Sequence, residues 1–123
     1  ARYGLAASDR RYLGIVATIG ALRQCCAFRG DQVLLVMNWL EPGMEVRPHS
    51  HPFEQVVYVV QGQMNFWVEG KEIEVAKGGV LRIPPDAEHC GAPIGDETVM
   101  NLDVFSPIRE DYLHLVEYQA AEF

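Results

Sequence analysis

The stretch Gly43-Met-Glu-Val-Arg-Pro-His-Ser-His-Pro-Phe-Glu-Gln55 carries two histidines, His49 and His51, one residue apart. Residues i and i+2 of a β-strand point to one face, about 6.6 Å apart by the strand rise. Two imidazoles so placed can converge on one metal ion, and imidazole suits zinc, iron, nickel and copper. A third histidine, His89, follows an Ile-Pro-Pro turn later in the chain. On an unbroken strand Gln55 would lie about 13 Å beyond His51, too far to share an ion. Proline cannot continue a central strand, so the chain is expected to turn at Pro52-Phe53 and bring Gln55 back over the histidines.

Outward from this stretch the sequence reads as short strands between turn residues, at 12–19, 22–28, 33–40, 45–51, 54–60, 64–69, 72–75, 80–83, 88–92 and 98–105. That regular spacing predicts an all-β sandwich or barrel. Only the tail, 109–118, looks helical, and weakly. The clearest hairpin sets 54–60 against 64–69 across Gln61-Gly62. A two-residue loop there pairs Val59 with Met64, Val57 with Phe66 and Gln55 with Val68. Gln55 then points inward with the apolar row Met64, Phe66 and Val68, while Glu54 points out. A polar amide on an apolar face needs a partner, either an ion or a network of core hydrogen bonds.

At 123 residues, 49% hydrophobic and 22% charged, the chain has an ordinary globular profile and reads as one domain. We expect an N-terminal arm over about 1–11, a barrel over about 12–106 and a tail over about 107–123, in keeping with the turn spacing. The formal charge of −7, with no Lys/Arg cluster, argues against nucleic acid as a partner. An anionic small substrate stays open, since an arginine and a metal cation reverse the local field. Cys25, Cys26 and Cys90 have no disulfide-framework spacing, which predicts a reducing, cytoplasmic setting. Cys90 beside His89 is a minor ligand candidate, because neighbours on a strand face opposite ways. There is no apolar run of membrane-span length and no basic-then-apolar leader pattern, so no membrane partner is expected.

The motif residues closely resemble those of the cupin superfamily. Its first motif asks for Gly, five residues, His-x-His, three or four residues, Glu, six residues, Gly; Gly43, His49, His51 and Gly62 fit, with Gln55 standing in the glutamate position. Its second asks for Gly, five residues, Pro-x-Gly, two residues, His, three residues, Asn; Gly78, Pro84 and His89 fit, with Asp86 and Pro93 as departures. The resemblance implies a double-stranded β-helix, a jelly-roll barrel with a short irregular or helical tail. It also implies one divalent transition metal (nickel, zinc, iron, manganese or copper) held by His49, His51, Gln55 and His89. The opposing reading is a barrel that has lost its metal and kept the histidines. An amide in place of the carboxylate leaves the site with its full charge and favours Lewis-acid chemistry.

The run Leu102-Asp-Val-Phe-Ser-Pro-Ile-Arg-Glu-Asp-Tyr-Leu113, with His-x-His-Pro-x-Glu-Gln, is similar to small cupins that open unsaturated uronate rings. That resemblance implies that Asp103, Phe105 and Arg109 line the active site. A carboxylate near a metal-bound hydroxyl is a sensible general acid/base, and an arginine fork suits a substrate carboxylate. Alternation leaves the orientation open, because the row Met100, Leu102 and Val104 is the more apolar one and would leave Asp103 in solvent. Arg109, Glu110 and Asp111 can equally be a plain helix start with surface ion pairs. The expectation is a homodimeric enzyme acting without redox change, by ring opening, isomerisation or tautomerisation of a small, carboxylated substrate. The alternative is an iron-dependent dioxygenase, with Met64 and Phe66 lining an apolar substrate pocket. A third reading is a metal- or ligand-binding protein without turnover.

Overall fold

Alternation along three strands sets the frame. Leu34, Val36, Asn38 and Leu40, then Gln55, Val57 and Val59, then Val99, Asn101, Asp103 and Phe105 are all buried, and the residues between them are half-buried or exposed. Each set is one face of a strand. The computed structural model describes residues 17–18, 23–44 and 46–121. These form β1 (Ala17–Thr18), β2 (Arg23–Arg29), β3 (Leu34–Leu40), β4 (Glu54–Gln61), β5 (Gln63–Val68), β6 (Lys71–Ala76), β7 (Val80–Ile83), β8 (His89–Pro93), β9 (Val99–Ser106) and a C-terminal 3-10 helix (Glu110–Ala121).

The strands make two antiparallel sheets, one of six in the order β1-β2-β3-β9-β4-β7 and one of three in the order β6-β5-β8. The two inner faces share one core: Leu40, Val57, Val59, Ile83 and Val99 come from the larger sheet, Met64, Phe66 and Val75 from the smaller. A second cluster lies where the 3-10 helix packs Leu115 and Val116 on Cys25, Ala27, Leu34, Val36 and Phe105. Gln119 fastens that helix to β2, accepting from Arg29 N at 2.8 Å and donating to Arg29 O at 3.1 Å. This docking carries Arg109 and Tyr112 to the side of Phe105.

The jelly-roll class expected from the sequence is the one observed, but the clearest expected hairpin is not. β4 pairs with β9 and β7, whereas β5 pairs with β6 and β8, in the other sheet. Both edges of β4 are therefore taken. The register slips between Val59 and Gln61, and Gly62 sits at φ 86°, a conformation open to glycine. An alanine Cβ at Gly62 would also stand 2.8 Å from Val99 Cγ2. This bulge and turn send the chain across to the opposite sheet instead of back alongside β4. Gln55 nevertheless faces inward, on the buried side of β4 with Val57 and Val59.

The strand expected over 45–51 is also not formed over its described residues, 46–51, among which only His49 pairs, in an isolated bridge to His89. Pro48 and Pro52 lack the N–H groups that a ladder needs. The expected N-terminal arm and most of the 12–19 strand lie outside the described residues. Met64 and Phe66, expected to line a pocket, are 2% and 5% exposed and packed into the core.

Candidate metal centre

The backbone brings the three histidines together. His49 N donates to His89 O at 2.9 Å and His89 N donates to His49 O at 2.8 Å. Residues directly opposite in such a bridge share a face. His51 follows two residues on, and its carbonyl accepts from Asp86 N at 2.8 Å, which ties the Pro84–Asp86 turn to the first motif. Ring centroids are 4.4 Å apart for His49–His89, 4.8 Å for His51–His89 and 5.9 Å for His49–His51. One nitrogen from each ring lies within 4.8 Å of the others, so the three can hold a metal ion. His49 is exposed while His51 and His89 are buried, which places the group at the barrel mouth.

Every ring commits the same nitrogen to the backbone. His49 Nδ1 meets Arg47 O at 3.1 Å, His51 Nδ1 meets Phe53 O at 3.0 Å and His89 Nδ1 meets Ala87 O at 2.8 Å. A carbonyl only accepts, so Nδ1 carries the proton and donates, and each neutral ring presents a bare Nε2 lone pair. Burial lowers the His89 pKa to about 4, and burial followed by the Arg109 charge lowers that of His51. Both rings are thus neutral at pH 7, as metal ligands must be. His89 Nε2 is buried with no hydrogen-bond partner among the described residues.

Gln55 adds the most telling contact. Its Nε2 donates to Asp103 Oδ1 at 3.2 Å, which turns its Oε1 to face His51 Nε2, also at 3.2 Å. With the His51 proton on Nδ1, these are two acceptors with no hydrogen between them. A cation in the space they share removes the conflict, and three imidazoles with an amide oxygen form a donor set that divalent transition metals accept. Glu54, its neighbour, points outward and pairs with Arg82 at 2.8 Å, both half in solvent. Cys90 is outside the histidine group; burial, with Glu88 nearby, pushes its thiol up.

Asp103 is 7% exposed and faces inward, and Asn38 Nδ2 donates to its Oδ2. Phe105, on the same face, meets His51 edge-on at 5.8 Å. Arg109 is held among three rings, its Cζ lying 3.9 Å from the Tyr112 centroid, 4.8 Å from Phe105 and 5.6 Å from Phe53. Its Nε and Nη2 donate to the two Asp111 oxygens at 3.0 and 2.6 Å, which holds the Asp111 carboxyl below its usual range. Two of the five guanidinium N–H groups are committed there, and the others face elsewhere.

Sequence reasoning passed over Asn38, Phe53 and Tyr112 as site residues, and took Asp111 only as part of a helix start with surface ion pairs. Asn38 had a readable signal: it is the polar member of the inward row Leu34, Val36, Asn38 and Leu40. Phe53 meets Arg109 only through the docking of the tail, which no local pattern encodes, whereas Asp111 and Tyr112 are its near neighbours in the chain.

The family model for the cupin domain matches residues 39–105. Polyketide synthase CurC of Streptomyces cyaneus is 31% identical over 101 residues, 81% of this chain, and the chain spans 60% of the length of that relative. An RmlC-like cupin from Shewanella frigidimarina superposes with a TM-score of 0.71 at 30% identity, over 79% of this chain and 86% of the other. KdgF from Halomonas sp. gives a TM-score of 0.71 at 26% identity, over 78% of this chain and 88% of the other.

Proposed function

The chain belongs to the cupin family, and from that premise we propose that it is a metal-dependent enzyme rearranging a small, oxygenated, carboxylated molecule without consuming oxygen. The observation that carries the metal is the approach of Gln55 Oε1 to His51 Nε2, two acceptors 3.2 Å apart. His49, His51, Gln55 and His89 would hold the ion. Bound there, a divalent ion supplies Lewis acidity toward a substrate carbonyl or hydroxyl. Four neutral donors leave its charge undiminished, which supports non-redox work over the dioxygenase reading.

The chain's own groups divide the remaining tasks. Asp103 is the buried carboxylate behind the ligands, accepting from Asn38 and Gln55. It is our candidate for moving the proton. Arg109, fixed by its three rings and Asp111, offers its remaining N–H groups to a substrate carboxylate. Phe105 touches both His51 and Arg109, edge-on to the first and under the guanidinium of the second.

An unsaturated uronate is the first substrate to test, on the strength of the Asp103–Arg109 run. A second reading rests on the relative described as a polyketide synthase, since a β-dicarbonyl offers the same pair of oxygens to the ion. Both should be incubated with metal-loaded protein under argon and followed by proton NMR. Turnover of either without oxygen supports the proposal, and Arg109→Ala should then mainly weaken binding. Oxygen uptake on an iron-loaded sample, with no reaction under argon, would move the assignment to a dioxygenase.

The working unit in this reading is a homodimer. Tyr58 and Val80 are cross-strand partners on the outer face of the larger sheet, 41% and 67% exposed, with Val56 beside them at 39%. An exposed apolar patch of this kind supports a partner of the same chain. The reduced state of Cys25, Cys26 and Cys90, none of them in a disulfide, supports a cytoplasmic setting, and no helix among the described residues is long and apolar enough to cross a membrane.

A further inference from the structure

Behind the ligand nitrogens a row of polar side chains runs diagonally across three adjacent strands: Asn38 on β3, Asp103 on β9 and Gln55 on β4. Asn38 is the Cα partner of Asn101 and Gln55 that of Phe105, so each stands diagonal to Asp103. All three are buried, at 3%, 7% and 9% exposure. Each link has a fixed direction. Asn38 Nδ2 donates to Asp103 Oδ2 and Gln55 Nε2 donates to Asp103 Oδ1. A carboxylate only accepts, so both amides must turn their NH2 groups toward it. Gln55 is then obliged to aim its oxygen at His51. Reversing the amide would set Gln55 Oε1 against Asp103 Oδ1, acceptor on acceptor.

We propose that Asp103, backed by Asn38, is a positioning residue that dictates both the identity and the orientation of the ligand at position 55. It demands an amide there and keeps the negative charge one hydrogen bond behind the ion. The site is thereby fixed as three imidazoles and a neutral oxygen. This rests on the metal reading given above.

A pairing rule follows. Gln55→Glu removes the donated hydrogen and puts two carboxylates in contact inside the barrel, where unpaired charge is costly. Adding Asp103→Asn cures the conflict. The new asparagine accepts from Asn38 and donates to the new glutamate, so both links of the row are kept.

Two measurements test this. In metal-free protein, Gln55→Glu should lower the melting midpoint by on the order of 5 °C or more, and adding Asp103→Asn should recover most of that loss. Failure of the second change to recover any of it overturns the rule. With cobalt(II) as the probe, in competition with a chromophoric chelator, Gln55→Ala and Asp103→Ala should each weaken binding about 10–100-fold. The Gln55→Ala/Asp103→Ala variant should be no weaker than the weaker single one, because Asp103 acts through Gln55. Additive losses would mean that Asp103 acts only as a nearby charge, and would overturn the positioning role. If Asp103→Ala does not fold, the exchange of Gln55 and Asp103 decides alone. If cobalt(II) binds no form of the protein, the metal reading fails, while the exchange still tests the pair in the metal-free state.

Discussion

The metal-free protein should lose stability as the pH falls from 7 to 4, and His89 should account for a definable part of the loss. Burial is the main cause of its lowered pKa; the Ala87 carbonyl opposes it, and His49, His51 and Arg109 add repulsion. The folded ring therefore resists protonation until about 4, against 6.5 for an ordinary histidine in the unfolded chain. Between those two values the unfolded state binds the extra proton, so folding stability declines with acid. The His89 contribution is whole above 6.5 and spent near 4, and the gap is worth about 3 kcal/mol. At 5% exposure, solvent screening takes little from that figure. His51 is shifted the same way by burial and Arg109 and steepens the decline. Urea unfolding of chelator-treated protein at pH 7, 6, 5 and 4 measures it, with His89→Gln as the reference that cannot titrate. The wild type should lose about 3 kcal/mol more than the variant across that range. Parallel losses would show that His89 is not held neutral, and the argument for an available Nε2 would fall with it.

Three further outcomes are expected. Glu54→Ala should change stability by less than about 0.5 kcal/mol in thermal or urea unfolding, because its pair with Arg82 is exposed; a large loss would mean that Glu54 does not point outward. Gly62→Ala should destabilise by roughly 2 kcal/mol, combining a strained φ with a clash on Val99, whereas unchanged melting would remove the crossing turn from the account. Tyr58→Glu should convert a dimer to a monomer in sedimentation velocity, and a wild type that sediments as a monomer would dispose of the dimer reading.

The sequence was most legible where one residue type serves one local purpose. His49, His51 and His89 come together as the motifs imply, although the strand expected to carry the first two is not formed. The inward side of Gln55 was legible, though through a hairpin pairing that is not formed. Pairing was not, since the Gln61-Gly62 turn that closes a hairpin also serves a crossing between sheets; what decides is that β7 and β9 occupy both edges of β4. On β9 the usual hydropathy rule reverses. Asn101 and Asp103 face inward and Leu102 and Val104 outward, because the inner wall carries the polar row behind the ligands. A functional face overrides the apolar-in pattern, and the apolar outer row awaits a different cover. The aromatic seat of Arg109 was the least readable feature, being assembled from a bend, a strand and a docked tail.

The central claim is that His49, His51, His89 and Gln55 form one metal site, and X-ray absorption on cobalt(II)-loaded protein tests it most directly. The account predicts one ion per chain, surrounded only by nitrogen and oxygen at about 2.0–2.3 Å, with binding abolished in His51→Ala. No uptake after reconstitution, or a sulfur ligand from Cys90 in the first shell, would contradict it.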